Sequence, residues 1–240
     1  MPISLTTHKA PKIGGVTRFS TSDYPNHLAA VIFLQGCPWR CHYCHNPHFQ
    51  TRTTRCSFDW FKFMAWLQTR IGLLDAVVFS GGEPCADPAL PMAVDTVKSM
   101  GFKVGLHSGG GYPKRLQKIL ASLDWIGFDI KAPFESYETV TGISDSGKPA
   151  EISAKSVLDQ GVSYEFRTTL HPSLLPEEAL WAMASRLQQL GVQHYVWQMF
   201  RSTGCLNHSL NSVKLSHYPS SALIQKVSAL FPQFEFRSAY

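Results

Sequence analysis

The sequence predicts an α/β fold built on a mainly parallel sheet, and two observations indicate it. Apolar strand segments alternate with amphipathic helical segments about six times along the 240 residues, which is typical of parallel α/β folds. The first of these strands, Ala29 to Leu34, is a continuous apolar run rich in branched side chains. Strands buried on both faces of a parallel sheet have this composition. We therefore expect right-handed crossovers between the parallel strands.

The other elements follow from periodicity and from residues that start or stop them. We expect an irregular N-terminal segment at residues 1–11. Residues 12–28 are expected to form a short hairpin with a Tyr24-Pro25-Asn26 turn. Further strands are expected at 76–79, 103–106, 125–130, 164–169, 194–199 and 234–236. Helices are expected at 57–72, 87–101, 113–123, 151–161, 176–191 and 220–230, with loop-like segments at 133–148 and 200–218. Ser57 is the expected cap of the first helix, prolines begin three others, and glycines end most of them.

The composition is that of an ordinary globular protein with a substantial core, since 44% of the residues are hydrophobic and 16% are charged. We find no run of about eighteen apolar residues that would span a membrane. Residues 1–11 lack the apolar core of an export signal. We therefore expect a cytoplasmic protein without membrane association, whose six cysteines are ligands or free thiols rather than disulfides.

The length of the chain and its net charge narrow the possible domain organisation and the possible classes of binding partner. We expect a single domain over 1–240, with an N-terminal extension at 1–28, a core at 29–200 and a C-terminal extension at 201–240. The net charge of +5 comes without a dense Lys/Arg run, so nucleic-acid binding has little support. The positive balance instead favours an acidic protein partner or an anionic cofactor.

Three cysteines follow the first predicted strand in one short segment, residues 36–47, which we call the cysteine loop. Cys37, Cys41 and Cys44 are separated by four and three positions, so their thiolates can converge on one metal centre. A [4Fe–4S] cluster normally takes four thiolates. A cluster held by three would leave one iron free to bind a substrate or cofactor, which indicates chemistry at the cluster.

Three other interpretations of these cysteines remain open. Zinc could be held by the three thiolates together with a nearby histidine; the candidates are His42, His45 and His48. Cys41 and Cys44 could form a redox pair like that of thioredoxin. The cysteines could also be unrelated core residues.

Polar and glycine-rich residues follow every predicted strand, at the end where active sites of parallel sheets lie. They are Gly81, Gly82 and Glu83 after the second strand, His107 to Gly111 after the third, Asp129 and Lys131 at the end of the fourth, Arg167 and Thr168 at the end of the fifth, and Gln198 at the end of the sixth. The glycine pair would let a backbone approach a ligand, although an ordinary turn has the same composition. Asp129 and Lys131 share a strand face and could equally be a structural ion pair. The triple glycine could cradle a phosphate but lacks the lysine of a P-loop.

Two of these motifs resemble those of the radical S-adenosylmethionine (radical SAM) superfamily. Cys37-x-x-x-Cys41-x-x-Cys44, with Tyr43 before the last cysteine, resembles its cluster signature, and Ser80-Gly81-Gly82-Glu83-Pro84 its methionine-binding motif. The resemblance covers residues 30–200 and implies a partial (β/α)6 TIM-like barrel with a short N-terminal hairpin. It also implies a [4Fe–4S] cluster on the three cysteines and S-adenosylmethionine (SAM) as cofactor.

The chain is most similar to the activases of glycyl radical enzymes. Ile13-Gly14-Gly15, Tyr24-Pro25 and His45-Asn46-Pro47 resemble those of the activases of anaerobic ribonucleoside-triphosphate reductase, and Asp129-Ile130-Lys131 resembles their SAM-contacting pair. The resemblance implies that SAM is cleaved to a 5′-deoxyadenosyl radical, which generates a glycyl radical on that reductase, with flavodoxin or ferredoxin as electron donor. The implied SAM-binding residues are Tyr43, Gly81, Gly82, Glu83, Asp129 and Lys131, with Ser108, Arg167 and Gln198 added from their positions.

The chain also departs from this subfamily. His107-Ser108-Gly109-Gly110 stands where many activases have Asp-Thr-Asn-Gly, so the monovalent cation site of those activases is not expected to carry over. The segment after the cysteine loop is too short for a second cluster, and we interpret Cys56, Cys85 and Cys205 as free thiols. The alternatives to an activase are a radical SAM enzyme with a small-molecule or other peptide substrate, and a zinc-stabilised binding protein without catalysis.

Overall fold

The structure, a computed structural model, describes residues 10–53 and 58–238. The expected helix cap at Ser57 and the expected free thiol of Cys56 lie outside the described residues. Cys85 and Cys205 are free thiols in the structure, as are the three cysteines of the cysteine loop. Within the described ranges, no helix has the length and apolar character needed to cross a bilayer.

Eight strands form one sheet in the order of the chain, and the sheet is not closed into a full barrel. The strands are β1 (Ile13–Ser20), β2 (Ala29–Leu34), β3 (Ala76–Gly81), β4 (Lys103–Ser108), β5 (Trp125–Asp129), β6 (Ser163–Leu170), β7 (His194–Met199) and β8 (Gln233–Arg237). Every neighbouring pair from β2 to β8 is parallel. The α/β fold and the partial barrel predicted from the sequence are therefore confirmed.

The N-terminal hairpin differs from its prediction. We expected it to be complete within residues 12–28, but β1 pairs antiparallel with β2, from Ile13 opposite Leu34 to Ser20 opposite Ala29. The Tyr24-Pro25-Asn26 turn thus connects β1 to the first parallel strand. This pairing makes β1 an edge strand of the same sheet rather than part of a separate hairpin.

Eight helices are described: α1 (Trp60–Gln68), α2 (Leu90–Ser99), α3 (Pro113–Leu120), α4 (Glu138–Thr141), α5 (Gly147–Gln160), α6 (Glu177–Gln189), α7 (His208–Asn211) and α8 (Ser221–Ser228). Some predicted boundaries differ from those of the structure. The carboxylate of Asp59 caps α1, so this helix starts at Trp60. The second helix begins at Leu90 rather than at Asp87. The predicted loop over 133–148 contains α4 and the start of α5.

The two faces of the sheet bury different clusters. One face packs against the helices through alternate residues such as Ile32 and Phe79. The intervening residues, including Val31 and Val78, form a small cluster with Trp125 inside the barrel. Tyr24 stacks on Trp125 with ring centroids 5.1 Å apart. This apolar cluster lies at the amino ends of the strands, which leaves the carboxyl ends for polar side chains.

Candidate active site

A cavity of about 170 Å³ opens at the carboxyl ends of the parallel strands. All twelve site residues predicted from the sequence line it: Cys37, Cys41, Tyr43, Cys44, Gly81, Gly82, Glu83, Ser108, Asp129, Lys131, Arg167 and Gln198. The parallel register brings these residues together because every strand from β2 to β7 ends on the same side of the sheet. The structure therefore places the three cysteines beside the residues expected to contact SAM.

Backbone hydrogen bonds fix the first half of the cysteine loop. The N–H of Gly36 donates to the carbonyl of Phe49 at 2.7 Å, and the N–H of Cys37 to that of Gln50 at 3.0 Å. The Arg40 guanidinium donates to the carbonyl of Cys37 at 2.8 Å. The loop thus folds back on its own continuation, and Cys37 faces the cavity.

The second half of the loop is paired with α4. The N–H of Arg40 donates to Thr141 at 2.8 Å, and the N–H of His42 donates to Val140 at 3.0 Å. These two bonds flank Cys41 on the chain. A segment without regular secondary structure therefore still has a defined backbone on both sides of its central cysteine.

Two of the thiols, those of Cys37 and Cys41, are partly buried near the Lys131 ammonium. Burial raises the pKa of Cys37 to about 12, and the Lys131 ammonium opposes this shift. Burial also raises the pKa of Cys41, again against Lys131. In the metal-free protein both groups are therefore thiols, and a bound metal would have to displace their protons.

Asp129 and Lys131 lie between the cysteines and the end of β6. The Lys131 Nζ is 3.4 Å from Asp129 Oδ2 and lies over the rings of Tyr43 and Trp39, at 5.7 and 5.9 Å from their centroids. The Nε and Nη2 of Arg167 are each 3.0 Å from Asp129 Oδ1. Burial opposes ionisation of Asp129, but Arg167 and Lys131 outweigh it and lower the pKa of this carboxyl group. The cavity thus holds one carboxylate between two cations.

Comparisons with known proteins identify the family. The model described as the radical SAM superfamily matches residues 31–188, about two thirds of the chain. This chain belongs to the radical SAM superfamily. Members of the superfamily use a [4Fe–4S] cluster and SAM, so the resemblance noted in the two sequence motifs is confirmed at this level.

Two relatives and one solved structure extend the comparison. A protein of Methanocaldococcus jannaschii, provisionally named glycyl-radical enzyme activating enzyme MJ1227, is 28% identical over 78% of this chain and 79% of its own length. The pyruvate formate-lyase-activating enzyme of Streptococcus mutans is 28% identical over 68% of this chain and 66% of its own. Streptococcus suis SuiB bound to S-adenosylmethionine superimposes with a TM-score of 0.64 at 13% identity, over 85% of this chain and 48% of SuiB. The chain spans about half the length of SuiB, and this last likeness shows the fold alone.

The donor set fits the cluster of a radical SAM enzyme. Each thiolate of a cubic cluster binds a different iron atom, so three such thiolates line a cavity rather than converge on one point. Among the described residues, no three His, Cys, Asp or Glu side chains form a group that could hold a metal ion. Three cysteines that line one cavity therefore fit the cluster that the superfamily uses.

Glu83 also has a structural role, which its place in the radical SAM motif did not predict. Its Oε1 accepts hydrogen bonds from the Ser108 hydroxyl at 2.8 Å and the Cys85 N–H at 3.1 Å, and its Oε2 accepts one from the Gly109 N–H at 3.0 Å. Burial raises the pKa of Glu83 although these three donors oppose the shift. Glu83 therefore joins the loop after β3 to the loop after β4.

Other segments of the chain pack closely against the glycines of these two loops. A Cβ on Gly81 would lie 2.4 Å from the backbone of Leu34, and one on Gly82 would lie 2.5 Å from the carbonyl oxygen of Gly36. A Cβ on Gly109 would lie 2.3 Å from the Trp39 ring. Residues of the cysteine loop also fill the space beside Gly111, and the N–H groups of Gly109 and Gly110 already donate to Glu83 and Ser108, so this structure does not support the suggestion that the triple glycine cradles a phosphate.

Eight residues that were not among the expected cluster and SAM contacts also line the radical SAM cavity: Trp39, His45, Asn46, Gln50, Ser80, His107, Gly109 and Thr169. Of these, the sequence had indicated no role for Trp39, Gln50 and Thr169. Strand alternation would have found Thr169, since it shares a face with Arg167. Thr168, which we placed at the rim, faces the other way and contacts the Tyr195 hydroxyl at 2.7 Å. Thr169 accepts a hydrogen bond from the Gln198 side chain at 2.9 Å.

Proposed function

We propose that this radical SAM enzyme is a glycyl-radical-enzyme activating enzyme, and that its partner is anaerobic ribonucleoside-triphosphate reductase. The observation that carries the proposal is the convergence of three cysteines with the Asp129–Lys131 pair in one cavity. The similarity to activating enzymes over 78% and 68% of the chain supports it. The partner rests on the motifs Tyr24-Pro25 and His45-Asn46-Pro47.

Cys37, Cys41 and Cys44 would hold three irons of a [4Fe–4S] cluster and leave the fourth iron open for SAM. When bound, the cluster supplies the electron that splits SAM into methionine and a 5′-deoxyadenosyl radical, which then takes a hydrogen atom from the partner's glycine to give 5′-deoxyadenosine and a glycyl radical. The electron would come from flavodoxin or ferredoxin, because cluster potentials extend down to about −700 mV and need a strong reductant. Reduced thiols would persist in the cytoplasm, where we place the protein.

The remaining residues would bind and orient SAM. The Lys131 ammonium suits the SAM carboxylate and the Asp129 carboxylate suits the ribose hydroxyls, while Arg167 holds Asp129 ionised. The backbone of Gly81 and Gly82 would receive the methionine amino group, with Glu83 fixing that loop. Tyr43 would lie against the adenine, with Ser108 and Gln198 as further contacts.

The first experiment tests the chemistry without the partner. The protein is reconstituted anaerobically with iron and sulfide, reduced and mixed with SAM, and we expect 5′-deoxyadenosine. Cys41→Ala should abolish its formation, whereas Cys85→Ala, which alters a buried cysteine outside the cavity, should retain it. A Cys41→Ala protein that forms 5′-deoxyadenosine at the wild-type rate, or wild-type protein that binds zinc in place of iron, would contradict the proposal.

The second experiment tests the partner. The reduced enzyme is incubated with SAM and an anaerobic ribonucleoside-triphosphate reductase, and electron paramagnetic resonance should detect a glycyl radical on the reductase. A reductase with the radical-bearing glycine replaced by alanine is the control. 5′-Deoxyadenosine could also form with a glycyl radical on pyruvate formate-lyase and none on the reductase. That result would show an activase whose partner is not the reductase.

A further inference from the structure

The segment that follows β7, residues 200–211, crosses the cysteine loop, and we call it the strap. The His45 Nε2 is 2.8 Å from the carbonyl oxygen of Arg201, and the His45 ring stacks on Phe200 with centroids 5.6 Å apart. The hydrogen bond joins residues that are 156 positions apart in the chain. The strap therefore holds the residue directly after Cys44.

A second contact lies on the other side of Cys44. The Cys205 thiol donates to the carbonyl oxygen of His42 at 3.7 Å. Gly204 packs so closely that an added Cβ would lie 2.4 Å from the carbonyl oxygen of His45, and its φ of +84° is one that side chains with a Cβ rarely adopt. The backbone carbonyls of His42 and His45, which flank Tyr43 and Cys44, are thus both in contact with the strap.

The strap is itself anchored in the protein. Asn211 donates from its side chain to the carbonyl of Cys205 at 2.9 Å. The fully buried His171 ring is 3.1 Å from the carbonyl of Leu210 through Nε2 and meets Phe200 edge to face at 5.0 Å. The strap is therefore a structured element rather than a loose connection, although its residues form only the single-turn helix α7.

We propose that the strap is a positioning element for Cys44, which fixes the third cluster ligand relative to Cys37 and Cys41. This inference rests on the cluster of the proposed function. The bonds to α4 hold the loop at Arg40 and His42, before Cys44. Beyond Cys44, the strap holds His45 from the opposite side. Residues that orient metal ligands without touching the metal commonly change metal affinity by about 10–100-fold when replaced.

The test compares substitutions within the strap. Gly204→Ala places a methyl group against the His45 carbonyl, and Cys205→Ala removes the donor to His42. Leu206→Ala is the matched control, because the Leu206 side chain is 73% exposed. Cys205→Ser retains a hydroxyl donor at the same position. The full chain is reconstituted anaerobically, and the readouts are iron and sulfide content, the rate of cluster loss to a chelator, and the resonance spectrum of the reduced cluster without SAM.

We expect Gly204→Ala and Cys205→Ala to lose the cluster about ten-fold faster than wild type and to show shifted g values. Leu206→Ala should lose its cluster at the wild-type rate. Cys205→Ser should restore most of the cluster stability that Cys205→Ala loses. Thermal unfolding of the metal-free proteins separates a folding defect from this effect. Variants that unfold at lower temperature but keep the wild-type cluster spectrum and loss rate would overturn the inference.

The outcome is distinguishable from failure of the proposed function. Wild-type protein that binds no iron would overturn both. Wild-type protein that binds iron and cleaves SAM, with Gly204→Ala and Cys205→Ala indistinguishable from it, would overturn the role of the strap alone.

Discussion

The Arg167 guanidinium occupies space inside the barrel that a glycine leaves open. A Cβ on Gly127 would lie 2.6 Å from Arg167 Nη1, and Arg167 Nη2 donates to the Gly127 carbonyl at 3.3 Å. Gly127 is therefore required on β5 for the guanidinium to reach Asp129 on the same strand. The orientation of a predicted SAM contact thus depends on a residue without a side chain.

Gly127→Ala should weaken SAM binding. The added methyl group displaces the guanidinium from Asp129, and the loss of one charge-assisted contact corresponds to about ten-fold in affinity. Equilibrium dialysis of SAM against the reconstituted enzyme measures this effect. Gly191→Ala is the control, since a Cβ there meets nothing within 4 Å; it should lower stability through its positive φ but leave SAM affinity unchanged. Equal affinities for Gly127→Ala and wild type would show that Arg167 does not orient Asp129 for SAM.

At the level of elements, β8 is joined to β6 by an ion pair that bridges over β7. Both Nη atoms of Arg237 lie 3.1 Å from the two carboxylate oxygens of Glu165. The Glu165 side chain is 2% exposed, and its other cation, Arg167, is 3.8 Å away. Most of the charge compensation of the Glu165 carboxylate therefore comes from Arg237 on the last strand.

Arg237→Ala should destabilise the protein by about 2 kcal/mol, because it leaves a buried carboxylate without its principal partner. This value is lower than for a fully buried pair because a third of the Arg237 side chain is exposed. Urea unfolding measures the change. The double substitution Glu165→Gln with Arg237→Ala should recover part of the lost stability, since the amide needs no counter-charge. A double variant less stable than Arg237→Ala would argue against this account.

The element boundaries show where local sequence signals are sufficient. The strand at 194–199 is found where the apolar pattern predicts it. The second helix is formed from Leu90 onward, and the Asp87 carboxylate accepts the Ala89 N–H at 2.9 Å, as a residue at a helix start commonly does. The same carboxylate accepts the backbone N–H of Lys12 at 2.7 Å. Lys12 is 75 positions away, so no local pattern could indicate this second bond.

At the scale of the whole molecule, the candidate site was predictable because one topological rule places it. Residues at the ends of parallel strands must meet, which brought Gly82, Asp129 and Arg167 together without knowledge of any contact. The strap was not predictable, since its contacts with the cysteine loop join positions that share no periodicity. The position of His107 was predictable by the same rule, but its contact with the β1–β2 connection was not; there its Nε2 lies 2.8 Å from the carbonyl of Asp23.

His107 links the cavity to the acid stability of the whole fold. Burial lowers the pKa of His107 to about 4, and the charge of Arg167 acts in the same direction, whereas Asp23 and Asp129 oppose the shift. In the unfolded chain the ordinary pKa is 6.5. Between these values the unfolded state binds more protons than the folded state, so stability falls as the pH falls through this window.

The size of the effect follows from the shift. A difference between 6.5 and about 4 corresponds to roughly 3 kcal/mol of stability lost at the acid end of the window. His107→Gln keeps a donor toward the Asp23 carbonyl but cannot be protonated, so its stability should decline less with acid than that of wild type. Urea unfolding of the metal-free proteins across this pH range measures the difference.

The comparison must be made between variants, because burial also lowers the pKa values of His45 and His171, and these residues add to the same slope. His48→Gln, which alters an exposed histidine, should decline with acid as wild type does. If His107→Gln and wild type lose stability in parallel from pH 6.5 to 4, the buried imidazole is protonated in the folded protein without cost. The position of His107 between Asp23, Asp129 and Arg167 would then stabilise the imidazolium, and the cavity would carry one more positive charge in acid.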